Sequence, residues 1–172
     1  MPRNVEIKAC IRDPDNVRRR VEEWCTTPPE VLDQEDTFFH VPEGRVKLRT
    51  FSDGTGELIA YRRTDAAGPV LSTFHLYRTR NPAGLGSFLA EALGVRGIVR
   101  KRRLLFRIGQ TRVHLDEVEG LGSYLELEVV LENGQTEEEG AAIADGILGD
   151  LGVGPEDRVD RAYIDLLEDR AG

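Results

Sequence analysis

Charged residues in this chain recur two positions apart within otherwise apolar segments. Lys47 and Arg49 flank Leu48, and Lys101 and Arg103 flank Arg102. Arg112, His114 and Asp116 alternate with Val113 and Leu115. Glu126 and Glu128 alternate with Leu125, Leu127 and Val129, as Glu6 and Lys8 do with Val5, Ile7 and Ala9. Arg63 follows Tyr61 by two, and Arg78 and Arg80 follow Leu76. Residues i and i+2 of a strand share a face. Each segment therefore presents one apolar face and one ionic face. A solvated sheet face explains any one such strand. It explains the set less well, because the ionic faces are segregated into basic pairs on some strands and acidic pairs on others.

A sheet that closes with these faces inward makes a polar lumen, and eight strands leave room for one small ligand. Six inward basic groups, Lys8, Lys47, Arg49, Arg63, Lys101 and Arg103, are too costly to bury together unpaired. A polyphosphate supplies the missing negative charge, and Lys and Arg are its usual donors, Arg through a planar fork. Glu6, Asp116, Glu126 and Glu128 would repel that anion. They make sense if a hard divalent cation bridges carboxylate and phosphate oxygens, as Mg²⁺ does; Mn²⁺ takes similar ligands.

The elements that position these residues follow from periodicity and punctuation. Residues 3–12 alternate as a strand, with Val5, Ile7, Ala9 and Ile11 on one face and Asn4, Glu6, Lys8 and Arg12 on the other. Asp13-Pro14-Asp15 opens a helix that carries Val17, Val21 and Trp24 on one face and stops before Pro28-Pro29. Residues 31–40 form a strand ending in Phe38-Phe39, which should split between its faces. Residues 45–51 and 57–64 form a hairpin around Asp53-Gly54-Thr55-Gly56. A strand over 70–80 leads to a helix from Pro82 to Leu93. Residues 96–108 and 111–118 form a second hairpin, turning at Gly109-Gln110, and 123–131 a last strand, turning at Asn133-Gly134. Thr136 with Glu139 makes a capping box for a helix to about Leu151. Residues 159–168 are amphipathic through Val159, Tyr163, Leu166 and Leu167. About eight strands in hairpins with three or four helices give an α+β fold with an antiparallel sheet.

At 172 residues the chain suits one domain. It carries 23 Lys+Arg and 31 Asp+Glu, and 23 − 31 gives −8. That acidic balance argues against non-specific nucleic-acid binding, which needs a basic footprint. No apolar run approaches the roughly 20 residues that span a bilayer, and the N-terminus lacks the apolar region of a secretory signal. Two cysteines, Cys10 and Cys25, make a disulfide scaffold or zinc site unexpected and fit a reduced, cytoplasmic setting.

Six segments in order, from residue 4 to residue 167, resemble the CYTH, or triphosphate tunnel metalloenzyme, superfamily. Its first-strand signature Glu-x-Glu-x-Lys is similar to Asn4-Val5-Glu6-Ile7-Lys8, with Asn4 in place of the first Glu. Gln34 to Phe39 followed by Gly44 to Arg49, then Tyr61-Arg62-Arg63, resembles the class IV adenylate cyclase-like branch. So do Val99 to Arg103, His114-Leu115-Asp116, Glu126-Leu127-Glu128 and Ala162 to Leu167, the last with Ala162 in place of Ser. The resemblance implies one CYTH domain over 1–172, built as an eight-stranded antiparallel β-barrel or tunnel with flanking helices. It implies that Glu126 and Glu128 hold a catalytic Mg²⁺ or Mn²⁺ with Glu6 and Asp116 near it. Lys8, Lys47, Arg49, Arg63, Lys101 and Arg103 would grip the triphosphate, and Lys8 would join Glu126 and Glu128 in the catalytic set. Asn4, being neutral, weakens a cation site there or alters its metal preference.

The expected substrate is a triphosphate: ATP, tripolyphosphate or thiamine triphosphate. A ribose 3′-OH reaching the α-phosphorus gives cyclic AMP and pyrophosphate; water reaching the terminal phosphorus gives orthophosphate. The sequence leaves cyclase and triphosphatase open, with a non-catalytic polyphosphate- or nucleotide-binding module as a third possibility, and it does not choose between monomer and homodimer. Asp36 is placed to orient a lumen Arg through a salt bridge, and Arg112 to contact phosphate or pair with Asp116. His114 is read as a lumen histidine bonded to a neighbour, and Tyr163 as either closing one mouth or packing.

Overall fold

Alternation and turn chemistry produce the chain order of elements. These are β1 (Arg3–Cys10), α1 (Pro14–Trp24), β2 (Glu30–Phe39), β3 (Arg45–Phe51), β4 (Gly56–Arg62), β5 (Val70–Thr79), α2 (Pro82–Leu93), β6 (Val95–Ile108), β7 (Thr111–Val118), β8 (Gly122–Val130), α3 (Glu137–Leu151), β9 (Arg158–Val159) and α4 (Tyr163–Ala171). This is a computed structural model, and it describes residues 3–62 and 68–172.

All strand pairs are antiparallel, in the order β5-β4-β3-β2-β6-β7-β8-β1, and β1 pairs back onto β5. Eight strands therefore close into a barrel, flanked by four helices, as expected. Closure is shared along β1. Arg3 to Glu6 pair with β5, while Lys8 and Ala9 pair with the short β9. A barrel has no open edge to protect.

One side of the barrel wall is covered by helices and forms the main core. Val5, Ile7 and Ala9 of β1, Val113 of β7 and Leu125, Leu127 and Val129 of β8 pack under Val17 and Val21 of α1 and Ala144, Leu148 and Leu151 of α3. The alternation that puts these residues outward puts Glu6, Lys8, His114, Glu126 and Glu128 inward. α3 starts at the expected capping box, in which Thr136 and Glu139 each accept from the other's backbone N–H. It comes close to the barrel at Gly140, where a Cβ would lie 2.5 Å from Leu131 Cδ2 and 2.9 Å from Val5 Cγ2.

A second, smaller core closes one end of the barrel. Phe38, Val99, Val118 and Tyr124 pack against Ala162, Tyr163 and Ile164 at the start of α4. Ala162 has no capping hydroxyl. Asp165, in the first turn, instead accepts the Ala162 N–H at 3.1 Å while Arg45 and Arg96 bond it at 2.8 and 2.6 Å. Those ion pairs fix where the helix begins, so the segment read as one amphipathic stretch splits into β9, a turn and α4.

Two further differences from expectation are local. Trp24 is the last residue of α1 and is 41% exposed, so the buried face of that helix consists of Val17 and Val21. β1 ends at Cys10 rather than at residue 12, although Ile11 is still buried. Phe38 faces the lumen and Phe39 is buried on the other side of the strand, as strand parity requires. Among the described residues no helix is long and apolar enough to cross a membrane.

Candidate functional site: the barrel lumen

The barrel encloses a cavity of about 680 Å³, within the range of small-molecule sites. Glu6, Lys8, Lys47, Arg49, Lys101, Arg103, Glu126 and Glu128 all line it. Eight of the ten residues singled out from the sequence are thus brought together. Asp116 does not reach the cavity: it is 1% exposed and lies behind Arg103. Arg63 falls outside the described residues.

The basic wall comes from β2, β3 and β6 and is organised by a single acid. Asp36 of β2 stands opposite Arg49 of β3 and Val99 of β6. Its carboxylate accepts from Arg49 Nε and Nη2 at 2.7 and 2.8 Å, from Lys47 Nζ at 2.9 Å and from Lys101 Nζ at 3.1 Å. Burial alone would raise the Asp36 pKa, but Arg49, Lys101 and Lys47 outweigh it and hold the carboxyl well below the usual range. The converse strain falls on the lysines. Burial, with Arg49, Arg103 and Lys47 nearby, lowers Lys101 to about 7 in spite of Asp36. Burial and Arg49 lower Lys47 as well. Three cations share one bonded carboxylate; counting Glu126, whose charge also acts on Lys47 and Arg49, one positive charge is left over when both lysines are protonated.

Arg103 is paired separately. Asp116 accepts its fork at 2.7 Å on both oxygens and also accepts the Tyr163 hydroxyl at 2.8 Å. Burial and the negative charge of Asp116 push the Tyr163 phenol well above its ordinary value, so it stays a donor. Lys8 sits at the α4 end of the lumen, 4.1 Å above the Tyr163 ring, and donates to the Arg161 carbonyl at 3.2 Å. Tyr163 therefore both packs and forms part of the lumen wall.

The acidic wall is β1, β8 and β7. Glu6 stands opposite Glu128, Lys8 and His114 opposite Glu126, and Arg112 opposite Glu128. Burial opposes ionisation of Glu126, but the positive charges of Arg103, Lys8 and Lys101 outweigh it and keep its pKa well below normal. Its nearest cation contact, Arg103 Nη2, is 3.7 Å away. Glu128 is tied differently. Its Oε1 accepts from the Asn4 side-chain amide and from Arg112 Nη2 at 2.8 Å. Burial and the charge of Glu126 raise its pKa against the pull of Arg112. His114 Nε2 is 3.9 Å from Glu128 Oε2, and burial with Arg103 lowers this imidazole to about 3. A neutral histidine therefore lines the lumen.

The acids divide by availability for a cation. Asp116 is filled by Arg103 and Tyr163, and Glu128 by Asn4 and Arg112. Among the described residues no three His, Cys, Asp or Glu side chains already stand together as a metal cage. Glu126 is ionised and faces the lumen, with Glu6 lining the same cavity. The buried Asn4 Oδ1 next to Glu128 has no partner among the described residues. These hard oxygen donors fit a Mg²⁺ or Mn²⁺ ion shared with a bound anion.

Three features lay beyond the sequence reading. Arg112 pairs with Glu128 and not with Asp116. Gln34 and Ser72 are buried polar residues on the lumen wall. Ile59, Phe74 and Leu76 make an apolar wall on β4 and β5, where Ile59 stands opposite Leu76. The parity of Tyr61 on β4 held the signal for Ile59. Arg78 lines the mouth, is 82% exposed along its side chain and approaches Glu57 at 3.5 Å.

The fold and the site are thus those of a closed antiparallel barrel whose lumen sets a cation-rich wall against an acidic wall. The CYTH domain pattern matches residues 2–163, and the chain belongs to that family. Solved structures share the fold. A protein of Pyrococcus horikoshii is 23% identical, with a TM-score of 0.85 over 95% of this chain and 98% of its own. A Vibrio parahaemolyticus protein described as a candidate adenylate cyclase is 18% identical, with a TM-score of 0.76 over 96% and 97%. A Hippeastrum protein, described as a candidate adenylyl cyclase with a dominant triphosphatase activity, is 15% identical, with a TM-score of 0.68 over 100% and 96%. No curated protein matches the chain.

Proposed function

We propose that this protein is a divalent-cation-dependent enzyme that acts on a triphosphate held along the tunnel. The reaction it most resembles is that of a class IV adenylate cyclase, ATP to cyclic AMP and pyrophosphate. The observation that carries the proposal is the Asp36 hub: Lys47, Arg49 and Lys101 converge on one carboxylate and face the lumen with charge to spare. Phosphoryl chemistry needs mainly positioning and charge neutralisation from the protein. Lys47, Arg49, Lys101 and Arg103 bind phosphate oxygens; Asp36 and Asp116 hold those side chains in place beforehand. Lys8, fixed above Tyr163, marks the α4 end of the phosphate track. Glu126 and Glu6, joined by Glu128 if it leaves Arg112, would hold Mg²⁺ or Mn²⁺, which supplies Lewis-acid polarisation of the phosphoryl group when bound.

Hydrolysis of tripolyphosphate, thiamine triphosphate or a nucleoside triphosphate is the second reading, favoured by the triphosphatase activity named for the Hippeastrum neighbour. Incubation with ATP, tripolyphosphate and thiamine triphosphate, each with Mg²⁺ or Mn²⁺, separates the two. Cyclic AMP with pyrophosphate, lost in Glu126→Gln/Glu128→Gln, identifies a cyclase. Orthophosphate from tripolyphosphate identifies a hydrolase. Binding of a triphosphate without any product leaves a non-catalytic module.

A further inference from the structure

Glu126 and Glu128 lie two apart on one strand and face one cavity, yet among the described residues only Glu128 has a cation in hydrogen-bond contact. Glu128 Oε1 accepts from Arg112 Nη2 at 2.8 Å and from the amide of Asn4, while the nearest cation to Glu126 among the described residues is Arg103, 3.7 Å away. Asn4 is fully buried on β1, and Arg112 lies on β7, so Glu128 on β8 is gripped from both neighbouring strands. An acid at position 4 would leave this corner at −1 even with Arg112 counted (−1 − 1 + 1). Asn4, Glu128 and Arg112 sum to zero. Glu6, opposite Glu128, adds one negative charge but is counted with Glu126 for the first divalent cation, so the Glu128 corner offers a second one no net charge.

Arg112 also has donors left over. Its side chain is one-third exposed and lines the cavity, and its buried Nε has no partner among the described residues. A guanidinium has five N–H donors in a fixed fork and stays charged in any protein environment. One edge serves Glu128, and the other donors suit a phosphate oxygen. We propose that Arg112 is a built-in cation for the substrate. It neutralises Glu128 in place of a second divalent ion and binds a phosphate oxygen, so that the tunnel takes a triphosphate with a single divalent cation. This inference rests on the triphosphate reading above and assigns Arg112 as a binding residue of that same site.

The test uses the full chain and a triphosphate with methylene groups in place of both bridging oxygens, which neither a cyclase nor a hydrolase can cleave there. Binding is measured by calorimetry in EDTA. Mn²⁺ bound per chain is counted by electron paramagnetic resonance at saturating analogue. The wild type is expected to bind the analogue without metal and to take one Mn²⁺. Arg112→Ala should lose roughly 10- to 100-fold of the metal-free affinity, the loss of one charge-assisted hydrogen bond, and should gain a second Mn²⁺ as Glu128 becomes free. Arg112→Lys should keep one. Arg112→Gln replaces the Ala variant if circular dichroism shows that variant unfolded. Two Mn²⁺ in the wild type, or unchanged metal-free affinity in Arg112→Ala, overturns the role of Arg112 and leaves the triphosphate reading standing. No binding to the wild type even with Mn²⁺ overturns both.

Discussion

Asp36→Asn tests whether the lumen is held together by a charge it lacks in full. The substitution keeps shape and one acceptor oxygen and removes the only acid among the described residues that is bonded to Lys47, Arg49 and Lys101. Asp36 is 1% exposed, so water does not replace it. Removing one partner from a buried ion pair costs about 3–5 kcal/mol, because an uncompensated charge stays behind. Lys101, already lowered to about 7, sheds its proton near neutral pH and limits the damage. The expected loss is therefore about 3 kcal/mol, or roughly 6–12 °C in Tm for a chain of this size. A bound triphosphate supplies the missing negative charge. Tripolyphosphate should then stabilise Asp36→Asn more than it stabilises the wild type, as read by urea and thermal unfolding with and without ligand. A loss below about 1 kcal/mol, or equal stabilisation of both proteins, refutes the argument that these cations await an anion.

Three further outcomes follow, two from Lys101 and one from the packing of α3. Between pH 7 and its ordinary value of 10.5, Lys101 is protonated in the unfolded chain and largely neutral in the fold, so the unfolded chain binds more protons and this residue makes stability rise with pH across that window. An anion in the lumen restores its charge, so tripolyphosphate binding at pH 8 should take up about one proton, measured by calorimetry in buffers of different ionisation enthalpy, and Lys101→Met should abolish the uptake. Gly140→Ala should destabilise by about 1–2 kcal/mol in urea, because its methyl meets Leu131 and Val5 and overpacking outweighs the gain in helix propensity.

Much of the fold was legible in one dimension. Period-2 alternation located the strands to within one or two residues at most ends, since a half-buried strand must alternate. Asp13 and Thr136 marked helix starts because their side chains satisfy N–H groups that no carbonyl within the helix reaches. The parity that makes Val5, Ile7 and Ala9 core residues also sends Glu6 and Lys8 to the other face, so the lumen residues could be named from sequence. Trp24 shows the limit. Helical spacing put it on the buried face, but at the last residue of α1 it is left partly exposed.

The sequence alone determined which side chains share a face, because parity is local and a register slip would turn every core residue of a strand outward. Which of those side chains pair was decided only by closure of the barrel. Asp36 and Lys101 are 65 residues apart, and Asp116 and Tyr163 are 47 apart; sequence carries no distance across such gaps. Closure made Asp36 and Asp116 counter-ions for the basic wall and gave Arg112 to Glu128. It left Glu126 facing the lumen with no cation among the described residues in hydrogen-bond contact. Those pairings depend on strand order and shear, which the whole barrel sets at once.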